Sequence, residues 1–188
     1  MKQNLFIKIV LSIVLVIAFY NVPTSFAGSG DWRTFYYNKY KWSKECENDY
    51  QQQSSIPNFG LQFFKLTKQY SLVKIQCTQA AYQGQYEFMI VKNPYSKNPI
   101  ATPFIFETRA INNADMLMSY NKPGLVGNPI ITTSPLVIKN LEKGRGLGDC
   151  GVYEVYSKLL SLSKIKATTV RVHPECDGNT NISTWKSI

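Results

Sequence analysis

From Leu61 onward the chain falls into short β-like runs, several of which alternate apolar and polar residues with a period of two, the mark of strands that bury one face. Val73, Ile75 and Cys77 share one side against Lys74 and Gln76, and Val170 and Val172 oppose Arg171 and His173. The pattern predicts strands at Leu61–Leu66, Ser71–Cys77, Gln85–Lys92, Phe104–Thr108, Leu136–Lys139, Val152–Ser157 and Thr168–His173. Each is short, rich in β-branched and aromatic residues, and bounded by Asn, Pro, Gly or Lys-Ser turns. At Asn112–Tyr120 the period changes: Ala114, Leu117 and Met118 fall at helical spacing behind Asn113 as a cap, which predicts one short helix of about two turns. Gln51–Gly60 reads as a loop, and so does Asn121–Pro135, with its three prolines and two glycines. The expected fold is a single, mainly β, antiparallel domain with one short helix and two disulfides; a β-rich α+β arrangement is the alternative.

The amino terminus follows a different rule. A short positive region, Met1 to Lys8, precedes an apolar run from Ile9 to Phe19 and a small-residue stretch from Asn21 to Ala27. This order predicts a secretory signal over residues 1–27, cut after Ala27, where Ser25 and Ala27 supply the small side chains the peptidase needs. The apolar run is shorter than the roughly 20 residues of a membrane span, so the mature chain, residues 28–188, is expected to carry no transmembrane anchor. Cleavage removes Lys2 and Lys8 and no acid, so the formal charge falls from +9 to +7. A basic chain of this length suits one domain and an acidic partner.

All four cysteines, Cys46, Cys77, Cys150 and Cys176, lie in the mature part, and an even count in an exported chain favours disulfides. Pairing Cys46 with Cys77 and Cys150 with Cys176 closes two local loops and is the expected connectivity. There is no Cys-x-x-Cys pair and only one histidine, which argues against a metal site.

Three places carry candidate chemistry. Lys143-Gly-Arg-Gly-Leu-Gly-Asp-Cys-Gly151 contains a literal G-x-G-x-x-G, but the residues after it, Val152-Tyr-Glu-Val-Tyr156, are β-forming. A dinucleotide fingerprint needs a helix there to hold the pyrophosphate, so no such cofactor is expected. The glycines serve either a tight turn in which Arg145 and Asp149 pair, or an anion- or peptide-binding nest of Arg145, Gly146, Gly148 and Asp149. His173, the single histidine, is the one available base for nucleophilic catalysis, yet its nearest cysteine is expected to be oxidised. The segment Trp32–Trp42 interleaves Trp32, Tyr36 and Trp42 with cations such as Lys39. It is read either as the first strand and its edge packing or as a surface that stacks on a partner while neutralising its acids.

Two stretches are similar to a known family. Leu72-Val-Lys-Ile-Gln-Cys77-Thr-Gln-Ala-Ala-Tyr82-Gln and the glycine-rich run around Cys150 resemble motifs of the bacterial envelope family called domain of unknown function 1176, as does Pro174-Glu-Cys176-Asp-Gly178 with Trp185. Gln76, Ala80 and Gln83 stand where the family pattern has proline, glycine and asparagine. The chain resembles a shortened member, similar to the family's C-terminal part. The resemblance implies the periplasm of a Gram-negative bacterium and supports Cys77, Cys150 and Cys176 as framework cysteines, but implies no activity.

The expected function is a non-enzymatic binding module for an anionic envelope component or protein, acting in the periplasm or after secretion. It would be a monomer or small homo-oligomer, with no cofactor, no metal and no nucleic-acid partner. The alternatives are an inhibitor or protective factor against an envelope-attacking enzyme, with the glycine loop in that enzyme's cleft, and a hydrolase using His173.

Overall fold

A computed structural model of the chain describes residues 32–53, 60–111, 117–157 and 164–188. The expected signal and its cut site, and residues 112–116 of the expected helix, lie outside the described residues. Among the described residues no helix is long and apolar enough to cross a membrane.

The fold is β-rich, and a helix stands where one reading of Trp32–Trp42 expected a first strand. Helix α1 spans Trp32–Tyr40 and α2 spans Lys44–Gln51. Trp32, Tyr36 and Tyr40 recur every fourth residue, and the Tyr36 ring lies 6.2 Å from Trp32 and 5.4 Å from Tyr40, forming one stripe along α1. Lys41, with φ 57°, ends the helix. Ser43 then caps α2, its Oγ accepting from the Cys46 amide at 3.0 Å, and Glu45 and Glu47 occupy the positive first turn. These short-range signals outweigh the strand propensity of the aromatics.

Strands β1 (Leu61–Lys65), β2 (Tyr70–Gln79), β3 (Gly84–Lys92) and β4 (Ile100–Pro103) form an antiparallel sheet in that order, and β7 (Gly124–Gly127) pairs with the other end of β3. A second antiparallel sheet has the order β13 (Lys186–Ser187), β12 (Thr169–His173), β10 (Gly151–Ser157), β9 (Leu136–Lys143), β8 (Ile130–Thr133). In a third, β5 (Ile105–Ile111) lies between β6 (Leu117–Lys122) and β11 (Lys164–Lys166), the β5–β11 pair being parallel.

Two expectations change here. Leu117–Tyr120 belongs to strand β6, not to a helix, because pairing with β5 across Ile111↔Leu117 to Phe106↔Lys122 satisfies its backbone. The expected loop Asn121–Pro135 contains the end of β6 together with β7 and β8. Gly124 lets β7 approach: a Cβ there would lie 2.1 Å from the Tyr86 carbonyl oxygen.

The first sheet is buried on both faces. Leu72, Tyr86 and Phe88 join Phe104, Phe106, Leu125, Ile138, Tyr156 and Ile165 in the main core, which draws on all three sheets. The opposite face, Val73, Ile75, Cys77, Met89 and Val91, packs against Tyr40, Trp42 and Cys46 of the helical layer. Cys46–Cys77 joins α2 to β2, where the ladder with β3 shifts register between Gln76 and Thr78. Cys150–Cys176 joins the start of β10 to the segment after β12. Both bridges pair as the local-loop argument expects, and no free cysteine is present among the described residues.

Candidate functional site

The residues singled out in the sequence gather at two separate places. In the helical layer, Arg33 is fully buried. Its Nε donates to Glu47 Oε2 at 2.7 Å, Nη1 donates to the Gln76 carbonyl at 3.1 Å, and the guanidinium lies 3.5 Å from the centre of the Tyr50 ring. Trp42 belongs to this interior. It is buried and its Nε1 donates to Glu47 Oε2 at 3.0 Å, so it is part of the core and not of the surface that the sequence suggested. Beneath the Ser43 cap, Glu87 is buried and accepts from the Ser43 amide at 3.1 Å and from its hydroxyl. Burial pushes the Glu87 carboxyl above its ordinary pKa, and the two Ser43 bonds oppose that shift.

The outer side of α1 is different. Phe35 is 52% exposed and Tyr95 86% exposed, with Phe63 exposed at the edge strand β1. Trp32 contacts Phe35 edge-on at 6.0 Å, and Tyr36 meets Phe63 at 4.9 Å. Tyr95 is near enough that its charge adds to burial in raising the Tyr36 hydroxyl pKa. Lys39 lies 5.5 Å from the Phe35 ring centre and reaches the Pro94 carbonyl at 3.5 Å, and Lys41 lies over Tyr37. Helix α1 contains no acidic residue. Of the suggested aromatic–cation set, Trp32, Tyr36 and Lys39 therefore meet on one surface.

In the glycine loop, Arg145 and Asp149 are bonded to each other. Arg145 Nε donates to Asp149 Oδ1 at 2.8 Å, and Nη2 donates both to Oδ2 and to the Cys176 carbonyl, the latter at 2.9 Å. The Gly178 amide donates to Asp149 Oδ2 at 2.8 Å. The Arg145 bonds, joined by the Gly178 amide, hold the Asp149 carboxyl well below the usual carboxylate range. Asp149 is fully buried, while the Arg145 side chain is half exposed. Within the loop the Gly144 amide donates to the Cys150 carbonyl and the Gly148 amide to that of Arg145. These bonds engage two of the amides that a binding nest would offer. A Cβ at Gly144 would lie 2.9 Å from Cys150 Sγ, so glycine is needed to seat the loop on its disulfide. Gly146 packs toward Tyr82, and Leu147 stands at the tip, 70% exposed. The run leads into strand β10, so no helix terminus stands behind the G-x-G-x-x-G letters.

His173 stacks on Trp185 at 5.5 Å. Its Nε2 lies 3.0 Å from Asp177 Oδ1 and its Nδ1 3.4 Å from Glu175 Oε2, so both ring nitrogens face carboxylates. The bond from His173, with the Asn179 amide, lowers the Asp177 pKa.

A polar cluster between the second and third sheets was not found from the sequence. Glu154 is buried. Its Oε2 accepts from Thr108 and Tyr156 hydroxyls, each at 2.7 Å, and its Oε1 accepts from the Arg109 amide at 3.1 Å. Burial raises the Glu154 pKa, against the pull of the two hydroxyls. The strand alternation places Val152, Glu154 and Tyr156 on one face, the single hint that this acid points inward.

A shallow cavity of about 170 Å³ lies beside the second disulfide, lined among others by Ala110, Ile111, Glu142, Val152, Pro174 and Cys176.

A family model described as "Protein of unknown function (DUF1176)" matches residues 23–188. No curated protein and no solved structure matches.

Proposed function

We propose that this chain, which belongs to the DUF1176 family, is a non-enzymatic binding module of the periplasm that holds an anionic partner on the outer face of α1. The observation that carries this reading is the aromatic surface of exposed Phe35, Phe63 and Tyr95 with half-buried Trp32 and Tyr36, beside Lys39, on a helix without acids. Aromatic faces supply contact area at low entropic cost, and the lysines and the net positive charge select against cationic partners. Two disulfides suit an oxidising compartment.

One observation favours a second reading, an inhibitor of an envelope-attacking enzyme. Leu147 is exposed at the tip of a loop pinned by a disulfide and by the Arg145–Asp149 pair, and a pre-ordered loop binds a cleft with little ordering cost.

One experiment separates the two. Anionic envelope fractions and envelope-attacking enzymes are tested for capture by the wild type, by Phe35→Ala/Tyr95→Ala and by Leu147→Asp. Loss of about 2 kcal/mol of binding in the α1 variant, with capture that weakens as salt is raised, supports the first reading. Loss in the loop variant alone supports the second. If no anionic fraction is held in a salt-sensitive way, the proposal for α1 fails.

A further inference from the structure

The cavity beside Cys150–Cys176 combines features that the binding surface on α1 lacks. Ala110, Ile111, Val152, Pro174 and the disulfide form most of its wall, with Lys143 and the backbone of Gly144 and Gly151 at the glycine-loop side. Glu142 lines it from β9, directly across the ladder from Val152. Lys143, which also lines the cavity, places its stem over Gly148 of the glycine loop, and Lys122, whose charge acts on Glu142, lies over the Tyr120 ring at 4.5 Å. Glu142 therefore makes no hydrogen bond or ion pair with any described residue, although it is half-buried. Its environment disfavours the charged form, through burial first and the nearby Glu154 charge besides, with Lys122 in partial opposition.

A half-buried carboxylate without a partner is costly, and proteins pair such groups. The cavity is smaller than the roughly 300 Å³ at which pockets begin to enclose drug-sized molecules, which limits an occupant to the size of one side chain. Mostly apolar walls with one acid, and with the Lys143 stem drawn aside over Gly148, complement an alkyl chain that ends in a cation.

We infer that this cavity binds a primary alkylammonium group of side-chain size, its methylenes against Ile111, Val152 and the disulfide and its ammonium on the Glu142 carboxylate. The site is independent of the α1 surface and has the opposite charge preference, so the two stand or fall separately. The ammonium has two possible sources, a free amine or a lysine side chain of a peptide.

The test is an amide-resolved NMR titration of the full chain with n-butylammonium chloride, with n-butanol and sodium chloride as controls. Saturable shifts are expected at Ala110, Ile111, Gly144 and Gly151, with butanol binding about tenfold or more weakly, the effect of one charged hydrogen bond. Glu142→Gln is expected to reduce butylammonium binding to the butanol level while leaving the thermal midpoint within a few degrees. The Nα-acetyl-lysine amide identifies the source: binding as tight as butylammonium assigns a peptide lysine, and binding by butylammonium alone assigns a free amine. Equal binding of butanol and butylammonium, unchanged binding in the glutamine variant, or shifts confined to other residues would overturn the inference.

Discussion

The helical end and the glycine-loop end each combine a disulfide with an arginine–carboxylate pair, but the helical end buries both members of its pair and the loop end only the carboxylate. At the helical end the cation is inside: Arg33 is enclosed by Glu47, the Gln76 carbonyl and the Tyr50 ring. At the loop end the anion is inside: Asp149 collects Arg145 and the Gly178 amide while Arg145 stays half in water. The buried arginine fastens two helices to a sheet, Tyr36 packs against the core beneath α1, and Phe35 stands exposed on its outer side. The buried aspartate fastens a turn to the segment after β12, and Leu147 and half of the Arg145 side chain project from it. The difference teaches that a charged pair conspicuous in sequence, Arg145 with Asp149, can spend its carboxylate on holding the chain together, while a pair with no sequence signal, Arg33 with Glu47, lies deeper still.

The contrast breaks most directly at the arginines. Arg33→Ala leaves Glu47 buried without its cation and is expected to cost about 3–5 kcal/mol, whereas Arg145→Ala, at a half-exposed side chain, is expected to cost clearly less. Urea denaturation of both variants measures this, and equal losses would mean the two pairs are equivalent. The disulfides come next. Their sequence separations are 31 and 26 residues, so on the chain-entropy account replacing either bridge by two alanines costs about 3.5 kcal/mol. A distinctly larger loss for Cys46–Cys77 would show that this bridge also supports packing of the helical layer. The smallest effect is in pH. Burial raises the Glu87 pKa above its ordinary 4.5, so the folded state holds that proton more tightly, and the stability it contributes at low pH is lost as pH rises through the folded value. Asp149 is depressed below its ordinary 3.8, so its contribution is present above that value and is lost as pH falls through the folded one. Glu87→Gln is expected to flatten the first limb and Asp149→Asn the second, in urea midpoints measured across both ranges. A variant that flattens the other limb would reverse the assignment of the two ends.

Much of the β framework was legible because several of its strands alternate over part of their length. Val73, Ile75 and Cys77 in β2, and Val170 and Val172 in β12, bury the face that the alternation marks. The disulfide connectivity followed from closing the shortest loops. The helices were not read because Tyr, Phe and Trp favour strands in general, while the contrary signals, a four-residue repeat and the Ser43 cap, are local and brief. Strands β6 to β8 were missed for the opposite reason: they are short, separated by Pro123 and Pro129, and defined by their partners β5, β3 and β9. The Glu142 cavity left no trace in sequence, since its walls come from β5, β9, β10 and the segment after β12, brought together only by the fold.

The parallel ladder between β11 and β5 bears on the order of folding. Lys164 pairs with Ile105 and Ile165 with Phe106, across most of the second half of the chain, whereas β2–β3 and β9–β10 join near neighbours in sequence. Contacts so distant along the chain are entropically expensive to form before the rest is in place. Ile165, which seals the main core against Phe106, therefore closes the fold late, and β11 becomes the strand whose amides exchange with solvent earliest among those that wall that core.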